Sequence, residues 1–210
     1  NLENMINQSV AAKNWTLAGI GYAIKAYSWD QMTKLDGELI LKDAFVPGLL
    51  SHRYDYQDTI YKAVRNWAYK AVEYLSMPDA TGYGTKISAN DYIYGGDPEK
   101  WKKFAYGLKA RYTMRLSLRT PAYADVISFA DQSFDSAAEQ ARFNYNGNTT
   151  QSPFYCMFQD RDYYGASQSL HDKLVERNDP RDEIFFTTYP GVGGDLVFAP
   201  NGTANQIQGY

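Results

Sequence analysis

Four long segments of the chain repeat apolar residues at spacings of three and four positions, which is the pattern of amphipathic α-helices. They cover residues 10–34 and 57–76, a third that begins at Asp97, and a fourth that begins at Thr120. The stripe of the third segment consists of Trp101, Phe104, Ala105, Leu108, Tyr112 and Leu116. Because strand-like alternation is almost absent, we expect a mainly α fold with little β structure.

Capping residues indicate where several helices begin. Asp97 and Thr120 are each followed by proline, and a capping side chain before proline is typical of a helix start. A shorter fifth helix is expected at residues 169–177, where Ser169 precedes an acidic residue by three positions, as in a capping box. Residues 183–189 are rich in β-branched and aromatic types and predict a short strand.

The helices fall into pairs, the first with the second and the third with the fourth. This predicts tetratricopeptide-like helix pairs, although no strict 34-residue sequence repeat is present. The connections over residues 35–56, 79–97 and 141–168 are long and are expected to be irregular loops. No linker divides the chain, so residues 1–210 are interpreted as a single helical domain.

Composition excludes several functional classes. The net charge of −3 and the pI of about 5.4 argue against a nucleic-acid partner. Cys156 is the only cysteine, and His52 and His171 lie far apart, so neither a cofactor nor a metal site is expected. Since there is no run of 18 apolar residues, no segment is expected to span a membrane.

Four segments of the chain match motifs of one known protein family. Residues 54–61 (YDYQDTIY) resemble the segment that opens a helix in that family, and residues 93–105 (IYGGDPEKWKKFA) resemble a later helix entry. Residues 108–117 resemble the helix that follows, and residues 178–181 (NDPR) a later turn. The stretch at 33–45 is similar too, but it departs where the family's aromatic residue and proline are missing. Together these segments resemble the SusD/RagB family of bacterial nutrient-binding lipoproteins, and the resemblance covers residues 26–181.

The resemblance implies a surface-exposed protein of the cell outer membrane that binds glycans, or in some members peptides. It also implies delivery of that ligand to a SusC-like, TonB-dependent transporter, and a core of tetratricopeptide-like helix pairs. Family members are anchored by lipid on an N-terminal cysteine. Cys156 lies mid-chain and is not that residue, so the anchor, and with it any membrane contact, is expected to lie outside this chain. The chain is accordingly interpreted as incomplete relative to a full-length member.

Tyrosine is abundant, with 19 residues, and predicts ligand-binding clusters in the loops. Sugar rings stack on aromatic faces, and their hydroxyls require amide, carboxylate or guanidinium partners. Two clusters combine these groups; the first contains Asp160, Arg161, Tyr163 and Tyr164, and the second contains Tyr83, Asn90 and Tyr92. The alternative is that loop tyrosines pack against the helices, and for Tyr94, within the helix-entry motif, packing is the favoured interpretation.

Other features favour structural roles. The four tryptophans lie on helix stripes and are expected to pack in the core. Arg111, Arg115 and Arg119 are expected to form a row at spacings of four on the third helix and to make salt bridges with neighbouring helices; the alternative is a patch for an anionic ligand or partner. The leading functional hypothesis is non-catalytic glycan binding. Two alternatives are a scaffold that binds a peptide or protein in an apolar groove, and an all-helical glycoside hydrolase with two facing carboxyls.

Overall fold

The computed structural model of the protein describes residues 1–160, 165–186 and 196–202. For residues 158–160 it describes the backbone alone. The described residues contain nine α-helices and a 3₁₀ turn at Ala137–Glu139. The helices are α1 (Leu2–Ala11), α2 (Trp15–Asp36), α3 (Gln57–Leu75), α4 (Gly84–Asn90), α5 (Pro98–Arg115), α6 (Tyr123–Asp131), α7 (Pro153–Asp160), α8 (Gln168–Glu176) and α9 (Asp182–Phe185). Pairing between extended residues in the described ranges is limited to two isolated bridges, Leu39 with Asp55 and Ser167 with Ala199. The mainly α prediction is confirmed.

The chain forms two compact units, Asn1–Phe143 and Asn144–Tyr210. The first contains α1 to α6, and the second contains α7 to α9. In the second unit, His171 of α8 lies 2.9 Å from Asp182 of α9 and stacks on Phe198 at a centroid distance of 4.0 Å. The interpretation of residues 1–210 as a single domain stays a prediction.

Helices α2 and α3 form an antiparallel pair. Near the start of α2, a Cβ on Gly19 would lie 2.5 Å from Cγ of Leu75 at the end of α3. Near the end of α2, the Gln57 side chain donates to the Thr33 carbonyl at 2.7 Å. Only glycine permits so close an approach at residue 19, and the sequence therefore sets the distance between the two helices.

Helix α5 lies parallel to α2 and antiparallel to α6. The Tyr112 hydroxyl is buried and donates to the Ala26 carbonyl at 3.1 Å, while Ser133 Oγ donates to the Lys103 carbonyl at 3.1 Å. The buried residues at the junction of α2, α3 and α5 are Ile20, Ala23, Ala26, Ile60, Val64, Ala68, Ala71, Leu75, Trp101, Ala105, Leu108 and Tyr112. The predicted pairing of the helices is confirmed, as is the position of Trp101 in the core.

A buried carboxylate joins the same helices. Asp30 on α2 is fully buried, and Arg115 Nη1 of α5 and Lys34 Nζ lie 2.7 Å and 2.5 Å from its oxygens. The predicted salt bridge to a neighbouring helix is confirmed for Arg115. Arg119, however, lies beyond the last residue of α5, so the predicted row of three arginines on one helix is wrong.

Two predicted helix starts are wrong. The first segment is two helices, because Lys13 adopts a positive φ of 57° and the Asn14 side chain accepts from Leu17 N at 3.1 Å, which caps α2. The fourth segment begins at Tyr123, since Thr120 N donates to the Leu116 carbonyl at 2.8 Å and completes a turn that follows α5.

The chain beyond α6 also departs from expectation. Helix α8 follows Ser167 rather than starting at Ser169, and Asp172 accepts from the Gln168 side chain at 2.7 Å instead of completing a capping box. The strand predicted at residues 183–189 is not formed at residues 183–185, which belong to the helical turn α9. Residues 187–189 lie outside the described residues. Helices α4 and α7 also occupy two of the three predicted loops.

Candidate ligand-binding cavity

A cavity of about 850 Å³ lies within the first unit, between α1, α2, α4 and the residues that follow α4. This volume is within the range of small-molecule sites in proteins. Its apolar lining residues are Met5, Leu17, Ile20, Ile24, Ile87, Ile93 and Trp101. Its exposed polar and aromatic lining residues include Asn4, Gln8, Tyr83, Lys86, Asn90, Tyr92 and Phe143. The cavity therefore combines an apolar floor with a rim of rings and amides.

The rim near α4 is held by the carboxylate of Asp91. Its Oδ1 accepts from the backbone of Ile93 at 3.0 Å and of Tyr94 at 3.3 Å. Its Oδ2 accepts from the backbone of Gly96 at 2.8 Å and from the Trp101 indole at 2.7 Å. Burial alone would raise the pKa of Asp91, but these four hydrogen bonds outweigh burial and hold the pKa below its usual value of 3.8.

Two glycines shape the backbone between α4 and α5. Gly95 and Gly96 have positive φ values of 61° and 78°. A Cβ on Gly96 would lie 3.0 Å from Cγ2 of Ile87 and 3.1 Å from the backbone nitrogen of Ser88. Glycine at residue 96 thus permits both the left-handed turn and the close packing of this turn against α4.

Tyr94 belongs to the packing of the turn. Its hydroxyl donates to the Glu139 carbonyl at 2.7 Å, and its ring meets Trp101 edge-on at a centroid distance of 5.2 Å. Burial, with the nearby charges of Glu139 and Asp91, raises the pKa of Tyr94 to about 12. These contacts agree with the structural role expected for Tyr94.

The second predicted cluster borders the cavity. Tyr83, Asn90 and Tyr92 all line it, and the exposed fractions of the two tyrosines are 44% and 73%. Tyr92 also meets Phe143 edge-on at a centroid distance of 6.2 Å. Contact of these three residues with ligand stays a prediction.

The first predicted cluster, Asp160 with Arg161, Tyr163 and Tyr164, lies outside the described residues apart from the backbone of Asp160. Its role in binding likewise stays a prediction.

Sequence reasoning missed the wall opposite α4. Asn4 and Gln8 lie four positions apart on α1 and line the cavity. The only sequence indication was helical periodicity before residue 10, where no helix was predicted. Lys86 lies between Tyr83 and Asn90 in the sequence but was not included in their cluster. Phe143 was missed because it lies about 50 positions away in the sequence, and only the tertiary structure brings it to the cavity.

A smaller pocket of about 290 Å³ lies beside the connection between α2 and α3. Its charged residues pair with one another. Lys42 Nζ lies 3.1 Å from Asp55, and Arg53 Nε lies 3.8 Å from Asp43. The backbone hydrogen bond from Lys42 is the main reason that the pKa of Asp55 is lowered. Because these charges are already satisfied, the larger cavity is the better candidate site.

Across the described ranges, no three His, Cys, Asp or Glu side chains cluster in a way that would hold a metal ion. Over the same ranges, every helix is too short or too polar to traverse a lipid bilayer.

The chain has structural relatives among solved SusD-type proteins. A SusD/RagB family protein from Bacteroides thetaiotaomicron is 32% identical, with a TM-score of 0.77 over 91% of this chain and 42% of that chain. A SusD homologue from Bacteroides uniformis is 22% identical, with a TM-score of 0.68 over 91% of this chain and 41% of that chain. A homologue from Bacteroides vulgatus is 21% identical, with a TM-score of 0.68 over 94% of this chain and 42% of that chain. The last two show the shared fold alone.

The chain spans about two fifths of the length of these relatives. No curated protein matches it. A family model, SusD-like, described as starch-binding and associating with the outer membrane, matches residues 1–206. The match extends over nearly the whole sequence, and it agrees with the four motifs and with the paired helices. The chain therefore belongs to the SusD-like family.

Proposed function

We propose that this protein binds glycans at the cell surface, without catalysis, and delivers them to a SusC-like, TonB-dependent transporter in the outer membrane. The observation that carries the proposal is the cavity of about 850 Å³, with aromatic rings and amides at its rim, in a chain of this family. In this proposal the protein is surface-exposed and held at the outer membrane by a lipid anchor.

The rim offers the two kinds of contact that sugars require. Tyr83 and Tyr92 are exposed aromatic residues, and the C–H groups of a pyranose can stack on such rings. Asn4 and Gln8 on the opposite wall, together with Asn90, supply amide donors and acceptors for hydroxyl groups. The Asn90 side-chain nitrogen donates to the Lys86 carbonyl at 2.8 Å, so its oxygen remains available as an acceptor.

Binding without hydrolysis agrees with the charges at this cavity. A glycoside hydrolase needs two carboxyl groups about 5–10 Å apart across its cleft. Among the described residues that line the cavity, Asp91 is the single carboxyl group, and four hydrogen bonds occupy its oxygens. The cavity therefore favours binding over the hydrolase alternative.

Titration with a panel of neutral and acidic oligosaccharides by isothermal calorimetry tests the proposal. We expect weak binding, and we expect Tyr92→Ala to reduce the affinity about fivefold, because loss of a stacked ring costs about 1 kcal/mol. Tyr123→Ala is the matched control, since Tyr123 is an exposed tyrosine on α6 that does not line the cavity. Equal losses in the two variants, or release of new reducing ends from the bound saccharide, would contradict the proposal.

Peptide binding is the second candidate function, because the floor of the cavity is apolar. Met5, Ile20 and Ile87 could accept the side chains of a bound peptide. Apolar peptides included in the same titration separate the two ideas. Binding of peptides with no binding of saccharides would favour the scaffold function over glycan uptake. A pull-down of the transporter with the full-length protein tests delivery independently of the ligand.

A further inference from the structure

Among the described residues, one cationic side chain, Lys86, lines the cavity wall. The charged side chains of the lining are Lys86 and Asp91, and the oxygens of Asp91 are occupied by hydrogen bonds from its own loop and from Trp101. Lys86 Nζ lies 5.4 Å from the centroid of the Tyr83 ring. In the part of the chain that the structure describes, no carboxylate lies within ion-pairing distance of Lys86. Within the described ranges, the wall therefore carries a positive charge that no carboxylate pairs with, beside a ring.

We propose that the ligand of this cavity is an acidic saccharide, whose carboxylate pairs with Lys86 while a sugar ring stacks on Tyr83 or Tyr92. This inference rests on the glycan-binding function proposed above. The family description names starch, which is uncharged, so the inference assigns this chain a different class of glycan. Tyr83 is the N-cap residue of α4 and Lys86 lies within that helix, and the distance of 5.4 Å between the ammonium and the ring centroid places the two groups together.

The remaining polar groups of the rim do not distinguish acidic from neutral sugars. Asn4, Gln8 and Asn90 are uncharged amides that can bind hydroxyl groups of either kind. Selectivity for charge therefore depends on Lys86. An ion pair between exposed groups contributes up to about fivefold in affinity.

Calorimetry on matched ligand pairs tests the inference. The probes are oligosaccharides of galacturonic acid, alginate and hyaluronan, each compared with its carboxyl-reduced, uncharged form. We expect the protein to bind at least one acidic form about fivefold more tightly than its reduced form. Lys86→Met should abolish that preference, measured as the ratio of the affinities for the two forms, whereas Lys86→Arg should retain it. The preference should also weaken as salt is added.

Other outcomes separate this inference from the function on which it rests. Equal affinity for acidic and reduced forms, or a preference that survives Lys86→Met, overturns the acidic-ligand inference. If the reduced forms still bind and Tyr92→Ala weakens them, glycan binding itself stands. If no saccharide binds to the unmodified protein, both ideas are overturned. Lys86 is exposed, so its variants should fold, and far-ultraviolet circular dichroism verifies this.

Discussion

Replacing Asp91 by asparagine tests the idea that one carboxylate holds the turn between α4 and α5. Each of its oxygens accepts two hydrogen bonds, whereas an asparagine side chain has only one oxygen. If the amide nitrogen takes the position of Oδ2, it faces the Gly96 N–H and the Trp101 indole N–H, and both of these donors lose their acceptor.

An unsatisfied buried donor costs about 1–3 kcal/mol. Asp91 is only partly buried, so water can reach part of the turn, and we expect Asp91→Asn to lower the free energy of unfolding by about 2–3 kcal/mol. Urea denaturation followed by circular dichroism and tryptophan fluorescence measures the loss. Fluorescence is informative here because the Trp101 indole is one of the two donors affected.

Asp97→Asn is the matched control, because it makes the same chemical change in the same turn. The Asp97 Oδ1 accepts from Glu99 N at 2.9 Å and from Lys100 N at 3.2 Å, and a single oxygen is enough for both bonds. Asparagine caps helices about as well as aspartate, so the control should change stability by less than about 0.5 kcal/mol. Equal losses in the two variants would refute the argument from four hydrogen bonds.

The same hydrogen bonds predict that the stabilisation provided by Asp91 depends on pH. Because the pKa of Asp91 is lowered in the folded protein, its ionised form stabilises the fold. That stabilisation is fully present above the unfolded value of 3.8 and is lost as the pH falls through the lower folded value. The difference in stability between the unmodified protein and Asp91→Asn should therefore be largest above pH 3.8 and should shrink in stronger acid.

Two further predictions concern the same packing. Gly96→Ala should lower the free energy of unfolding by about 1–2 kcal/mol more than Gly82→Ala, as measured by urea denaturation. Both residues have positive φ, but only at Gly96 would the new Cβ lie within 4 Å of other atoms. Equal losses in the two variants would show that the contact with α4 is unimportant. Asp30→Asn should lower the free energy of unfolding by about 2–3 kcal/mol, because it leaves Arg115 and Lys34 without their shared carboxylate. The loss is limited because Arg115 remains partly open to water. A loss below about 1 kcal/mol would show that this buried ion pair contributes little.

Local sequence was sufficient to predict a helix where neighbouring residues alone provide its cap and its apolar stripe. Helix α5 begins at Pro98 as predicted, because the Asp97 side chain satisfies two free N–H groups of the first turn. The start of α3 at Gln57 was also predicted, and its end at Leu75 lies one residue from the predicted end. The apolar stripes of both helices are long enough for their periodicity to be unambiguous.

Elsewhere the local sequence pattern predicted the wrong element, because a hydrogen bond to a residue outside the pattern decided the structure. Thr120 before Pro121 has the form of a helix start, yet its backbone N–H donates to the Leu116 carbonyl and extends the end of α5. Residues 183–185 have β propensity, yet Asp179 accepts from Arg181 N at 3.0 Å and helps to close the turn that precedes α9. Propensity is a weak guide when a nearby capping group can satisfy the backbone.

The sequence by itself determined the family, the mainly α class, the pairing of the helices and the start of α5 after Asp97, because those features depend on periodicity and on caps within a few positions. Only the tertiary structure decided the cavity. Tyr83, Asn90 and Tyr92 are close in sequence, but the wall opposite them, Asn4 and Gln8, lies about 75 positions or more away. That wall exists because α1 packs antiparallel on α2, with Ile6 buried against Gly21. Burial of apolar surface between distant segments drives this contact, and such burial leaves no motif in the sequence.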